Sequence, residues 1–99
     1  MKLNIEKLKE KLNNISDEVY FEVKKLYKEM NDYYINIIWF NNLIFLLFID
    51  GRDLENNIEK LYYKTDSFTT TDVDDMKATL DFISSNEQDI KNAILESIE

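Results

Sequence analysis

Twenty carboxylates, twelve cations and not one histidine or cysteine confine the chemistry open to this 99-residue chain. Thiol and imidazole catalysis are excluded, and so are zinc sites of the Cys/His type. The serines (Ser16, Ser67, Ser84, Ser85, Ser97) have no histidine to activate them and no Gly-x-Ser-x-Gly elbow. The single glycine, Gly51, rules out glycine-rich phosphate loops and dinucleotide fingerprints. Thr71-Asp72-Val73-Asp74-Asp75 begins like a calcium loop. Counted from Asp72, however, Lys77 and Ile83 stand where such a loop needs Gly and Glu. The carboxylates of Asp50, Asp53 and Glu55 read as a helix stop followed by a helix cap. Glu22-Val23-Lys24 has the Glu-x-Lys order of some metal-dependent nucleases but falls in a helical pattern. The expectation is a protein that is not an enzyme and needs no cofactor and no metal.

What remains is the distribution of charge. The net charge is −8. Residues 1–49 carry seven Lys and seven acids, and residues 50–99 carry five cations and thirteen acids, so the second half holds the whole excess. Direct binding to nucleic acid needs Lys/Arg clusters and is not expected. A basic partner surface is. Asp74 and Asp81 recur seven residues apart, as do Asp89 and Glu96. Seven residues of helix span about 10.5 Å, so each pair lines up along one face. The candidate partner-binding residues are Asp66, Asp72, Asp74, Asp75, Asp81, Glu87, Asp89 and Glu96. Two such helices packed side by side would present rows of carboxylates able to occupy a groove that normally holds phosphates. The competing reading is a solvated face that keeps a small protein soluble.

The elements that would position these residues read as helices. Ile5, Leu8, Leu12 and Ile15 recur at three- and four-residue steps, the spacing of an amphipathic helix. Ser16 would cap a second helix carrying Val19, Val23, Leu26, Met30, Tyr33/Tyr34 and Ile37 along one face. From Tyr33 to Ile49 only Asn36, Asn41 and Asn42 are polar, as in a helix buried on all sides. Trp39 and Phe45 are expected to be buried within it. The alternative is a short hairpin over 35–49 turning at Asn41-Asn42. Asp50-Gly51 would end this element, and Asp53 would cap a helix with Leu54, Ile58 and Leu61 inside. Lys64–Thr71 reads as a polar loop. Thr71 would cap a fourth helix with Val73, Met76, Leu80 and Ile83 inside. Ser85 and Gln88 form a capping-box pattern for a fifth, with Ile90, Ala93, Ile94 and Ile98 buried. The expected fold is all-α, a single helical domain over 1–99. Four or five helices would surround the central apolar one, with an α+β fold containing the 35–49 hairpin as runner-up.

Seventeen residues interrupted by three Asn fall short of the roughly 20 apolar residues of a spanning helix. Met1–Asn14 lacks the apolar stretch of a secretory signal. A cytoplasmic protein is expected, in a host cell if the source is viral. Ile, Lys, Asn, Tyr and Phe dominate while Gly, Arg, Ala and Pro are scarce, as in an AT-rich bacterium, virus or mobile element. The leading functional expectation is a small acidic protein-binding module. Its sharpest form is a viral or mobile-element inhibitor of the anti-defence or nucleic-acid-mimic type, blocking a basic groove on a nucleic-acid-binding protein. The alternatives are an immunity-type helical protein and a self-associating structural protein, a homodimer in its simplest form.

Overall fold

Asn4 opens the first helix, α1 (Ile5–Asn13): its side-chain oxygen accepts from the Lys7 N–H at 3.1 Å, satisfying one orphan donor of the first turn. Leu8 and Leu12 of α1 are fully buried. The computed structural model describes residues 2–25, 32–39, 42–50, 52, 54, 65–68 and 72–99; at 39, 42–48 and 65–68 it describes the backbone alone.

After α1 the chain departs from the expected helices. Ser16 caps no helix; its Oγ accepts from the Glu18 N–H at 3.1 Å in the turn that leads into strand β1 (Tyr20–Lys25). Val19, Phe21 and Val23 are buried while Tyr20 and Lys24 are exposed, the two-residue alternation of a strand with one face on the core. Strand β2 (Tyr33–Trp39) pairs antiparallel with β1, placing Phe21 opposite Ile37 and Val23 opposite Ile35. Strand β3 (Asn42–Ile49) pairs antiparallel with β2, from Tyr33 opposite Ile49 to Trp39 opposite Asn42. Strand β4 (Thr65–Phe68) completes a four-stranded sheet in the order β1-β2-β3-β4.

The chain is therefore not an all-α bundle of four or five helices around a central apolar helix. The segment 33–49 is a β-hairpin at the centre of an antiparallel sheet, as in the α+β runner-up. Asn42, expected in the turn, lies in β3 opposite Trp39; Asn41 is outside the described residues. No polar face shows in 33–39 because the outer face of β2 carries Tyr34 and Ile38, both half-buried, on either side of the buried Asn36. Part of the expected polar loop 64–71 is strand β4. The side chains of Trp39 and Phe45 lie outside the described residues, as do Gly51, Asp53, Ile58, Leu61 and Thr71. Asp50 is buried at the end of β3, where its carboxylate accepts from the Arg52 backbone N–H at 2.8 Å and from the Arg52 guanidinium at 2.7 Å.

Two further helices close the fold, α2 (Val73–Ser85) and α3 (Glu87–Glu96), hinged on Asn86. Helix α3 packs on α1 and buries Ile90, Ala93 and Ile94 as expected. No side-chain hydrogen bond caps α3, so the Ser85/Gln88 box is not formed. Helix α2 is rotated from the expected stripe. Thr79 is fully buried, its hydroxyl donating to the Asp75 carbonyl at 2.8 Å, whereas Val73 and Leu80 face solvent. The core joins Leu8 and Leu12 to Phe21, Ile35, Ile37 and Ile49 of the sheet and to Ile90 and Ile94 of α3. Finally, Leu3 and Ile98 form an antiparallel bridge: the Asn4 N–H donates to the Ser97 carbonyl and the Glu99 N–H to the Lys2 carbonyl, both at 2.8 Å.

Candidate functional site

The acids singled out from the sequence fall into three places. Asp66 sits in β4 at a register shift: Leu46 pairs with Ser67 and Leu47 with Thr65, so Asp66 is the extra residue of a bulge. Asp72, Asp74, Asp75 and Asp81 belong to α2, and Glu87, Asp89 and Glu96 to α3. The two helices are not packed side by side in parallel rows. They meet at Asn86, with α2 against β3 and α3 against α1.

On α2, Asp72 is a structural cap. Its carboxylate accepts from the Asp74 and Asp75 N–H groups at 2.9 and 3.2 Å. Asp74 and Asp75 occupy the first turn, where the helix dipole favours negative charge, and both are exposed. Asp81 is exposed two turns on. Alongside this acidic row stand two large apolar side chains. Val73 is 74% and Leu80 is 49% exposed. They are seven residues apart, so they share a flank of the helix about 10.5 Å long, with Asp74 and Asp81 one residue further round. The expected stripe missed this because a rotation of about 100°, one residue step, exchanges Leu80 for Thr79 on the buried side.

On α3 the acids have different surroundings. Glu96 forms an ion pair with Lys11 of α1, Oε2 to Nζ at 2.8 Å. Glu87 is half-buried and Asp89 is exposed. Asp89 and Glu96 line an open cleft of about 450 Å³ between α1 and α3, floored by Ile15 and Ala93. Among the described residues no three acids converge to hold a metal ion. No described helix is long and apolar enough to cross a membrane.

Two carboxyls are held below their ordinary range. The Lys24 ammonium, 2.7 Å away, does this to Glu22, and the Lys11 ammonium does it to Glu96. A lowered native pKa means that the stabilisation is present above the unfolded glutamate value, near 4.3, and is lost as pH falls through the native values. Both pairs are largely exposed, so the contribution is small. Thermal melts between pH 6 and about 3 should show an acid limb that flattens in Lys11→Met and Lys24→Met. An unchanged limb in both variants would mean that other groups set the acid sensitivity.

Comparisons with protein-family models, with curated proteins and with solved structures find no match to this chain.

Proposed function

We propose that this protein works by binding another protein, and that α2 carries the contact. The observation behind this reading is the composition of its outer flank: Val73 and Leu80 stand in solvent beside Asp74 and Asp81. Exposed large aliphatic side chains next to a row of charge resemble a binding surface with an apolar centre and a polar border. The matching partner surface is basic, with an apolar strip between its cations. A groove that ordinarily takes nucleic-acid phosphates has that chemistry, so the inhibitor reading belongs here. Asp72 contributes to the surface by starting the helix. Asp89 and Glu96 lie on a different helix and face the cleft beside α1.

A photo-crosslinking residue at position 80, compared with one at the exposed Tyr20, would capture and identify the partner. Association is then measured at low and high salt. Asp74→Lys with Asp81→Lys should slow association on the order of tenfold or more and lower the melting temperature by only a few degrees, the cost of a cation in the first turn of α2. Val73→Ser with Leu80→Ser should speed dissociation. Asp89→Lys with Glu96→Lys should have the smaller effect on association. Equal effects of the two charge reversals would assign the acids to a general coat, and indifference to all three variants would remove α2 from the interface.

A further inference from the structure

Strand β1 is one of the two outer strands of the sheet, with β4 at the other side. One side chain covers part of the free edge of β1. Asn13, the last residue of α1, accepts from the Phe21 N–H at 2.8 Å through Oδ1 and donates to the Phe21 carbonyl at 3.0 Å through Nδ2. A further bond from Nδ2 to the Lys9 carbonyl, at 2.9 Å, ties the amide to its own helix. The Asn13 amide thus makes on Phe21 the pair of bonds that a neighbouring strand would make. In an antiparallel ladder, successive residues turn their N–H and C=O groups to opposite sides. Since those of Phe21 face away from β2, those of Val23 and Lys25 do so as well. Glu22 and Lys24, between them, project from the outer face and form an ion pair at 2.7 Å.

The sequence along this edge is self-complementary. If two β1 strands run antiparallel about Val23, Val23 meets Val23, Phe21 meets Lys25, and Glu22 meets Lys24. The Glu22–Lys24 pair of one chain would join that of the other in a ring of alternating charge. Side chains directly opposite across a ladder stand about 4.5–5.5 Å apart, within ion-pair reach. Strand β1 itself carries one acid, Glu22, and two lysines, Lys24 and Lys25, so the edge adds no like charge of the sign that each chain has in excess. We propose that the β1 edge is a pairing surface for a second copy of this chain, centred on Val23, and that the Asn13 side chain closes it in the monomer. With Asn13 in place only the Val23 pair can form. With the amide withdrawn, and the last turn of α1 that it ties to the strand swung aside, the Phe21–Lys25 pairs join it, and about six backbone bonds become available at two per pair. Natural sheets protect their edges by covering them, and here the end of α1 does so, tied to the strand by one amide.

The test is the mass of the full chain in solution by size exclusion with light scattering. Wild type should be monomeric. Asn13→Ala should dimerise at a concentration at least tenfold lower than wild type. Adding Glu22→Lys to Asn13→Ala places lysine opposite lysine and should return the monomer. Adding Lys24→Glu as well restores opposite charges and should return the dimer. A monomeric Asn13→Ala, or a dimer indifferent to Glu22→Lys, overturns the proposal. If Asn13→Ala does not fold, the chain's lack of cysteine gives a second route with Asn13 intact. Glu22→Cys and Lys24→Cys proteins are oxidised separately and mixed. The mixed disulfide should form faster than either homodimer disulfide, because position 22 faces position 24 and only lies diagonal to itself. Equal rates would refute pairing about Val23.

Discussion

Phe21→Ala should lower stability by about 3–5 kcal/mol, the range for truncating a fully buried aromatic residue. Phe21 has no exposed surface, and its ring lies 6.0 Å from that of Phe82 at an interplanar angle of 41°. It joins three elements: β1 by its backbone, α1 through Asn13, and α2 through Phe82. No single neighbour can move inward to fill the space, so most of the cavity should remain and the cost should lie toward the upper end. Denaturant titration checks this through a fall in midpoint at unchanged slope. A loss below about 1 kcal/mol would mean that Phe21 is not in the core and that β1 is misassigned.

The second large effect is expected at Tyr33, which is 1% exposed. Its hydroxyl accepts from the Leu3 N–H at 3.3 Å, and the Lys25 ammonium lies 5.9 Å from its ring centre. Tyr33→Ala removes both the ring and the acceptor and should cost about 3–5 kcal/mol. Tyr33→Phe keeps the ring and withdraws the acceptor from a buried N–H, at about 1–2 kcal/mol. The ratio of the two losses, read from denaturant midpoints, separates packing from hydrogen bonding. Equal losses would assign the whole effect to the hydroxyl. A silent Tyr33→Phe would mean that Leu3 finds another acceptor.

The helices were legible where apolar residues recur at steps that only a helix can use. Ile5, Leu8 and Leu12 cannot share a face of a strand, and Ile90, Ala93 and Ile94 cannot either. Val19 and Val23 are ambiguous, because a spacing of four satisfies both the helical and the two-residue period. Phe21 decides between them: it lies between the two valines on a strand but on the opposite side of a helix. Across 33–49 no alternation can be read from the sequence, since the outer face of β2 carries Tyr34 and Ile38, half-buried and apolar like the residues of the core face. On α2 the helix itself was legible but its rotation was not. A buried threonine satisfied by its own backbone resembles a surface residue, and Leu80 resembles a core one. Asp74 and Asp81, seven residues apart, share one side of α2 whatever its rotation. Asn13 carries no signal of its own in the sequence, because its pairing with Phe21 depends on a strand that the pattern does not disclose.

The bridge between Leu3 and Ile98 makes the backbone almost a ring, with hydrogen bonds supplying the missing link between its ends. Two backbone bonds alone do not offset the entropy of closing a loop that long, so the clasp depends on the core that holds the two segments together. A short covalent linker between residues 1 and 99 would relieve the unfolded chain of that freedom. It would also let the chain be cut open elsewhere, giving a circular permutant with the same sheet and the same acidic helix.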